Sequence, residues 1–316
     1  MKKKFVFLSI FMMFFVGAHA TTEDDIVSAL QKTYTACIGI DEELADLKKM
    51  AGINTAITGV GTGVGIGATA VGIAKELTDR AADTLKFERL KAIDEKRKEN
   101  SIAAPTNKDI EVFSRDFEEK YKSDTGIDYS NELEKLDTKS KKLGHWRTGL
   151  MATNTATNVA GAIIAGKNKI DDDLDEQITA CRTAIGELRR LRARARVENL
   201  DVGDSDTIID ACSGFETVDI SKINKRARGA MISGIVGSTA GLTGTVTSGI
   251  ANSNAVRNQG DGGTRDDKEK GLNTASNVLA GTATAASTAA TIFNATQIKA
   301  IKDVVTVAAK CTEALK

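Results

Sequence analysis

Four cysteines, one histidine beyond the N-terminal segment and a few short motifs are what this chain offers for chemistry. Cys37, Cys181, Cys212 and Cys311 are widely spread, and only His145 accompanies them, so the spacing does not read as a metal site. An even set of thiols in an oxidising compartment reads instead as two disulfides, with three pairings open in principle. Gly65-Ile66-Gly67-Ala68-Thr69-Ala70 has the letters of a dinucleotide fingerprint but no alternating strands and helices around it. The segment from Gly161 to Gly166-Lys167-Asn168 misses a phosphate loop, because Asn stands where Ser or Thr must hold Mg²⁺. Asp171-Asp172-Asp173-Leu174-Asp175-Glu176 lacks the turn glycine and distal Glu of a Ca²⁺ loop and reads as acid at a helix start. Arg189–Arg196 reads as a solvated basic helix end, with anionic head groups as its alternative partner. His145 has no Ser, Cys or carboxylate constellation beside it. The expectation is therefore no catalytic residue, no cofactor and no metal ligand, and a function that is not enzymatic.

What must be positioned is a set of four charge-free runs: Ala51–Ala74, Thr148–Gly166, Gly229–Val256 and Gly271–Ile298. Each is built of Gly, Ala, Thr, Ser and Asn with scattered Ile and Val, and each has about the length of a bilayer-crossing helix. The first run alternates Gly with Val, Thr and Ile from Gly59 to Gly67, which also fits a strand, although such a strand would have one bare face. Read as helix, Gly59, Gly63 and Gly67 share a face at four-residue spacing, the small-xxx-small pattern of closely approaching helices. His145-Trp146-Arg147 precedes the second run and Lys167 closes it. Trp146, Arg147 and Lys167 suit a membrane interface.

The chain opens with Lys2-Lys3-Lys4, an apolar stretch from Phe5 to Val16, and Gly17-Ala18-His19-Ala20, the parts of a secretory signal cleaved after Ala20. An uncleaved anchor is the alternative. Lys plus Arg and Asp plus Glu number 43 each, so charge gives no reason to expect nucleic acid. With one Pro and one Trp, the chain suits long helices packed by backbone approach rather than by large side chains.

In order, Thr22–Met50 reads as one helix with a stripe at Leu30, Thr33, Cys37, Ile40, Leu44, Leu47 and Ala51. Lys75–Asn100 is charged helix with Leu77, Leu85, Phe87 and Leu90 among its apolar positions. Ser101–Asn107 breaks the chain, and Asp109–Lys122 and Tyr129–Leu143 are further charged helices. Together, residues from about 75 to 147 form a charged helical arm. Asn154-Thr155-Ala156-Thr157-Asn158-Val159 reappears as Asn273-Thr274-Ala275-Ser276-Asn277-Val278, which reads as duplication of a helical hairpin. The expected fold is all-α, with two duplicated hairpins of small-residue helices packed as a four-helix bundle. The expected segments are a signal over 1–20, a first half over 21–199 with the arm, and a second half over 200–316. Each half has the order Cys, run, run, Cys, which favours pairing Cys37 with Cys181 and Cys212 with Cys311. Two hairpins also place all four cysteines on one side of a membrane. Repeated Asn154, Asn158, Asn273 and Asn277 are expected to fix helix register by hydrogen bonds.

These features point to an exported protein of the cell envelope, inserted in or associating with a membrane in a structural or interaction role. Its expected partners are the membrane or another envelope protein, and a homo-oligomer is compatible with the pattern. The alternative is a soluble secreted or periplasmic bundle that binds a partner. Span length favours the first.

Overall fold

The computed structural model describes residues 23–200, 202–257, 265 and 267–316. The signal segment, Asp201 and the expected loop at 259–264 lie outside these residues. Among the described residues nine helices follow one another: α1 Glu23–Cys37, α2 Ile40–Glu99, α3 Asn107–Thr125, α4 Tyr129–Lys167, α5 Asp172–Val197, α6 Ser205–Cys212, α7 Ile220–Asn252, α8 Asn254–Arg257 and α9 Asp267–Leu315, with a 3₁₀ turn at Ser213–Thr217. The described residues contain no strand, so the strand option for Gly59–Gly67 is settled in favour of helix.

Helix ends follow local chemistry. The single helix expected over Thr22–Met50 is two, because Gly39 takes the left-handed conformation at φ 86° and Ile38 N–H closes the end of α1 on Tyr34 C=O. Thr106 and Asp109 form a reciprocal capping box at the start of α3, and Gly126, at φ 72°, ends it. Asp171 accepts from Leu174 N–H at 2.9 Å, so the acidic cluster after the second run begins with an N-cap.

The chain divides into two compact units. Of the described residues, the first joins those up to Met50, Asn168–Lys225 and Thr296–Lys316; the second joins those in Ala51–Lys167 and Arg226–Ala295. Each therefore draws on both of the halves marked out in the sequence.

The first unit has an ordinary apolar interior. Ile40, Leu44, Ile178, Ile185, Leu188, Phe215 and Ile301 are wholly buried around disulfides Cys37–Cys181 and Cys212–Cys311. Loop ends are tied by amides. Asn224 exchanges both side-chain bonds with the Ile170 backbone at 2.8 and 3.0 Å, and Gln297 donates to Asn168 C=O at 2.6 Å. Arg182 reaches Phe215 C=O and Val218 C=O.

In the second unit, α2, α4, α7 and α9 pack as a four-helix bundle. Its seam positions step by three and four, with Thr78 and Ala162 buried beside them. On α2 they are Ala51, Asn54, Thr58, Gly61, Gly65, Ala68, Gly72, Lys75 and Asp79; on α4 they are Ser140, Gly144, Arg147, Met151, Asn154, Asn158, Gly161 and Ala165. This is the seam of a coiled coil, and a strict seven-residue period imposes a left-handed supercoil. Its occupants are Gly, Ala, Ser, Thr and Asn rather than Leu and Ile.

Candidate functional site

The interior of the small-residue bundle is where the chain departs most from a generic helical protein. Glycines there are occupied by neighbours. A Cβ on Gly61 would stand 2.6 Å from Thr157 Oγ1, and one on Gly65 would stand 2.6 Å from Thr284 Oγ1 and 3.2 Å from Thr284 Cα. A Cβ on Gly234 would lie 3.0 Å from the Asn158 carbonyl oxygen and 3.1 Å from Ala162 Cα. Gly72 lies directly against Asn277 and the Arg147 guanidinium. The expected packing face of Gly59, Gly63 and Gly67 is corrected by these contacts. A Cβ on Gly59 or Gly63 would meet nothing within 4 Å, and one on Gly67 only a Leu150 methyl at 3.7 Å. The seam is set by Asn54 and Thr58 before the glycines and Lys75 after them, and it carries Gly61 and Gly65 inward.

Amides and hydroxyls bind the layers. Asn54 Nδ2 donates to Asn294 Oδ1 at 3.0 Å, and Asn294 Nδ2 donates to Thr58 Oγ1 at 3.3 Å. Asn158 Nδ2 donates to Asn154 Oδ1 at 3.1 Å, while Ser287 Oγ lies 3.0 Å from Asn154 Oδ1 and 2.9 Å from Asn158 Oδ1. Asn154 and Asn158 thus link α4 to α9. The other two expected asparagines behave differently: Asn273 is buried with neither side-chain polar atom partnered, and Asn277 Oδ1 is also unpartnered. Asn54, Thr58, Ser287 and Asn294 complete this network beyond the four expected asparagines, and the heptad spacing of Asn54 and Thr58 with Gly61 and Gly65 carries the signal.

Towards the arm the interior becomes ionic. Lys75 Nζ meets Asp79 Oδ2 at 2.6 Å, and Ser140 donates to the other Asp79 oxygen. Arg265 bridges Glu76, Asp79 and Asp83 at 3.2, 3.2 and 2.9 Å. Burial would raise the Glu76 carboxyl, but hydrogen bonds from Arg265 and Arg80 hold it below its ordinary value. Burial raises the Glu269 carboxyl. Arg147, expected at a membrane interface, is 1% exposed. Its Nε and Nη2 have no hydrogen-bond partner, and burial lowers its pKa to about 10, which leaves it charged at neutral pH. The correction follows from register: Arg147 sits on the α4 seam one turn before Met151, whereas its neighbour Trp146 faces out at 69% exposure. Lys167 is exposed, and so is His145.

The large apolar side chains of the bundle lie outside. On α7 every buried residue from Gly229 to Asn252 is Gly, Ala or Ser, while Ile232, Ile235, Val236, Leu242, Val246 and Ile250 are exposed. Ile66 and Ile73 on α2, Ile163 on α4 and Val278 and Ile292 on α9 continue this pattern. Exposed Thr239, Thr243, Thr282 and Thr288 each donate to the carbonyl four residues back, which leaves their methyl groups outermost. Among the described residues one helical stretch, in Glu23–Glu99, is long and apolar enough to cross a membrane by length and composition. The runs in α4, α7 and α9 fall short of that mark.

In the first unit, the Sγ atoms of Cys37, Cys181 and Cys311 lie within 4.8 Å of one another. All three belong to disulfides, so no thiolate is free to ligate a metal. Comparison with known protein families, curated proteins and solved structures finds no match for this chain.

Proposed function

We propose that this chain is an envelope protein whose small-residue bundle is embedded in a lipid bilayer, with a structural or interaction role rather than a catalytic one. The observation that carries the reading is the polarity of α7: Gly, Ala and Ser inside, Ile, Val and Leu outside. In water this arrangement forgoes about 1 kcal/mol for each half-exposed Ile, Val or Leu. In lipid those side chains meet hydrocarbon, while close backbone packing and interhelical amides drive association. Mean hydropathy undervalues such helices because it averages inward-facing residues such as Asn54, Asn158, Ser248 and Ser287 with the apolar face that meets lipid. The stretch from Gly229 to Asn252 rises about 36 Å, against about 30 Å of hydrocarbon. Exposed Trp146, at the junction with the charged arm, suits the interfacial layer. The small-residue seam acts as a glycine zipper, and the signal-like first twenty residues together with two disulfides support an exported, oxidising location.

The rival reading is a water-soluble exported bundle that binds a partner. It is favoured by the shortfall of three runs in apolarity. Quenching separates the two. A single Trp placed at Val246, with Trp146→Phe removing the native one, should be quenched by lipids brominated near the acyl-chain middle. A Trp at Phe87, exposed on the charged arm, should be quenched far less. Equal, weak quenching at both positions would favour the soluble bundle.

A further inference from the structure

The charged arm carries a groove that neither the bundle nor the disulfide unit explains. It runs between the last turns of α2 and helix α3 and encloses about 530 Å³. Its floor is aromatic: Phe113, Phe117 and Tyr121 line it. On the other flank, Phe117 and Tyr121 stack edge-on with Tyr129 at 5.5 and 5.8 Å, and Arg89 covers the Tyr129 ring and meets Glu118 at 3.2 Å. The first turn of α4 therefore seals one side of the α2–α3 pair, and the groove is the side left without a helix.

The rim fixes the occupant's charge. Five carboxylates line the groove, Glu88, Glu95, Glu99, Asp116 and Asp124, and Glu95 also meets Lys91 at 3.7 Å from outside the lining. Two lysines line it, Lys96, tied to Glu99 at 3.0 Å, and Lys120, so the lining sets five acids against two bases. An aromatic floor between rows of acid matches a helix with an apolar stripe flanked by Lys or Arg. From Glu88 to Glu99 the groove follows about 17 Å of helix, or three turns.

We propose that this groove receives a cationic amphipathic helix of a partner protein, completing a four-helix arrangement in the arm. The site lies in the charged arm and stands whether or not the bundle is in lipid.

The test uses the full chain in non-ionic detergent and three labelled 18-residue helical peptides, read by anisotropy with binding to empty micelles subtracted. One has a Leu stripe flanked by Lys, one the same stripe flanked by Glu, and one the same Lys with Ser for Leu. The Leu/Lys peptide should bind, and paired reversal Glu95→Lys with Asp116→Lys should weaken it about tenfold. Reversal of exposed Glu111 and Glu119, which lie on α3 outside the groove, should change it less than twofold. Absence of binding, equal loss from both pairs of reversals, or equal binding of the Lys/Ser peptide would overturn the proposal. So would self-association of the chain that disappears with the groove reversals, because the occupant would then be a second copy.

Discussion

Alanine at Gly63 and at Gly65 should move stability in opposite directions, although the two lie two residues apart on one helix. Gly63 is exposed and a Cβ there meets nothing within 4 Å, so Gly63→Ala keeps only the gain in helix propensity, about 1 kcal/mol. Gly65→Ala has the same gain, but its Cβ would press on Thr284 Oγ1 at 2.6 Å, Asn154 Nδ2 at 3.0 Å and Thr284 Cα at 3.2 Å. The hydroxyl can rotate, but the Cα cannot, so α2 and α9 must separate. Overpacking of this kind costs about 1–3 kcal/mol. The net result is stabilisation by about 1 kcal/mol at position 63 and destabilisation by up to about 2 kcal/mol at position 65. At about 2–4 °C per kcal/mol the midpoints should separate by several degrees in thermal unfolding of the full chain. If both variants shift the same way by the same amount, the seam through Gly61, Gly65 and Gly72 is wrong.

Three further outcomes follow from the buried groups. Glu269 is raised by burial, so its contribution is fully present below the ordinary carboxyl value of 4.5 and lost as pH rises through the higher folded value; Glu269→Gln should stabilise the chain at pH 8 and leave it unchanged at pH 4, and a shift of equal size at both would exclude the linkage. Cys212→Ser frees Cys311 within 4.8 Å of both sulfurs of the other bridge. At pH 8.5 its thiolate should attack that bridge and release Cys37 or Cys181 as the new thiol, so non-reducing peptide mapping that finds only Cys37–Cys181 with free Cys311 would refute the exchange. Asn158→Leu removes the bonds to Asn154 and Ser287 and crowds Gly237, whose Cβ would lie 2.9 Å from the amide; far-UV circular dichroism should hold while unfolding loses cooperativity, and simple stabilisation would remove the register role.

Much of the fold was legible in the chain. Charge-free runs between charged stretches marked the bundle helices, Ser101–Asn107 marked the break, and the order of cysteines and runs favoured the two bridges that the structure holds. The inward face was not legible. Glycine stands at every second position from Gly59 to Gly67, so two sets at four-residue spacing compete and the glycines alone cannot choose between them. The deciding residues, Asn54, Thr58, Lys75 and Asp79, are polar, and polar residues at heptad spacing read as a surface. Arg147 misled for the same reason. In the arm the apolar positions Leu77, Phe87 and Leu90 are exposed, and the buried positions Lys75 and Asp79 are charged.

The central claim is that the outer Ile, Val and Leu of the bundle face lipid, and alkaline carbonate extraction of membranes from cells expressing the native chain tests it most directly. High pH strips proteins held at a membrane by charge or by other proteins and leaves those embedded in hydrocarbon. The account predicts that the protein stays in the membrane pellet at pH 11, and that neutral detergent releases it. Recovery of the protein in the carbonate supernatant would contradict the account and leave the bundle as a soluble, partner-binding module.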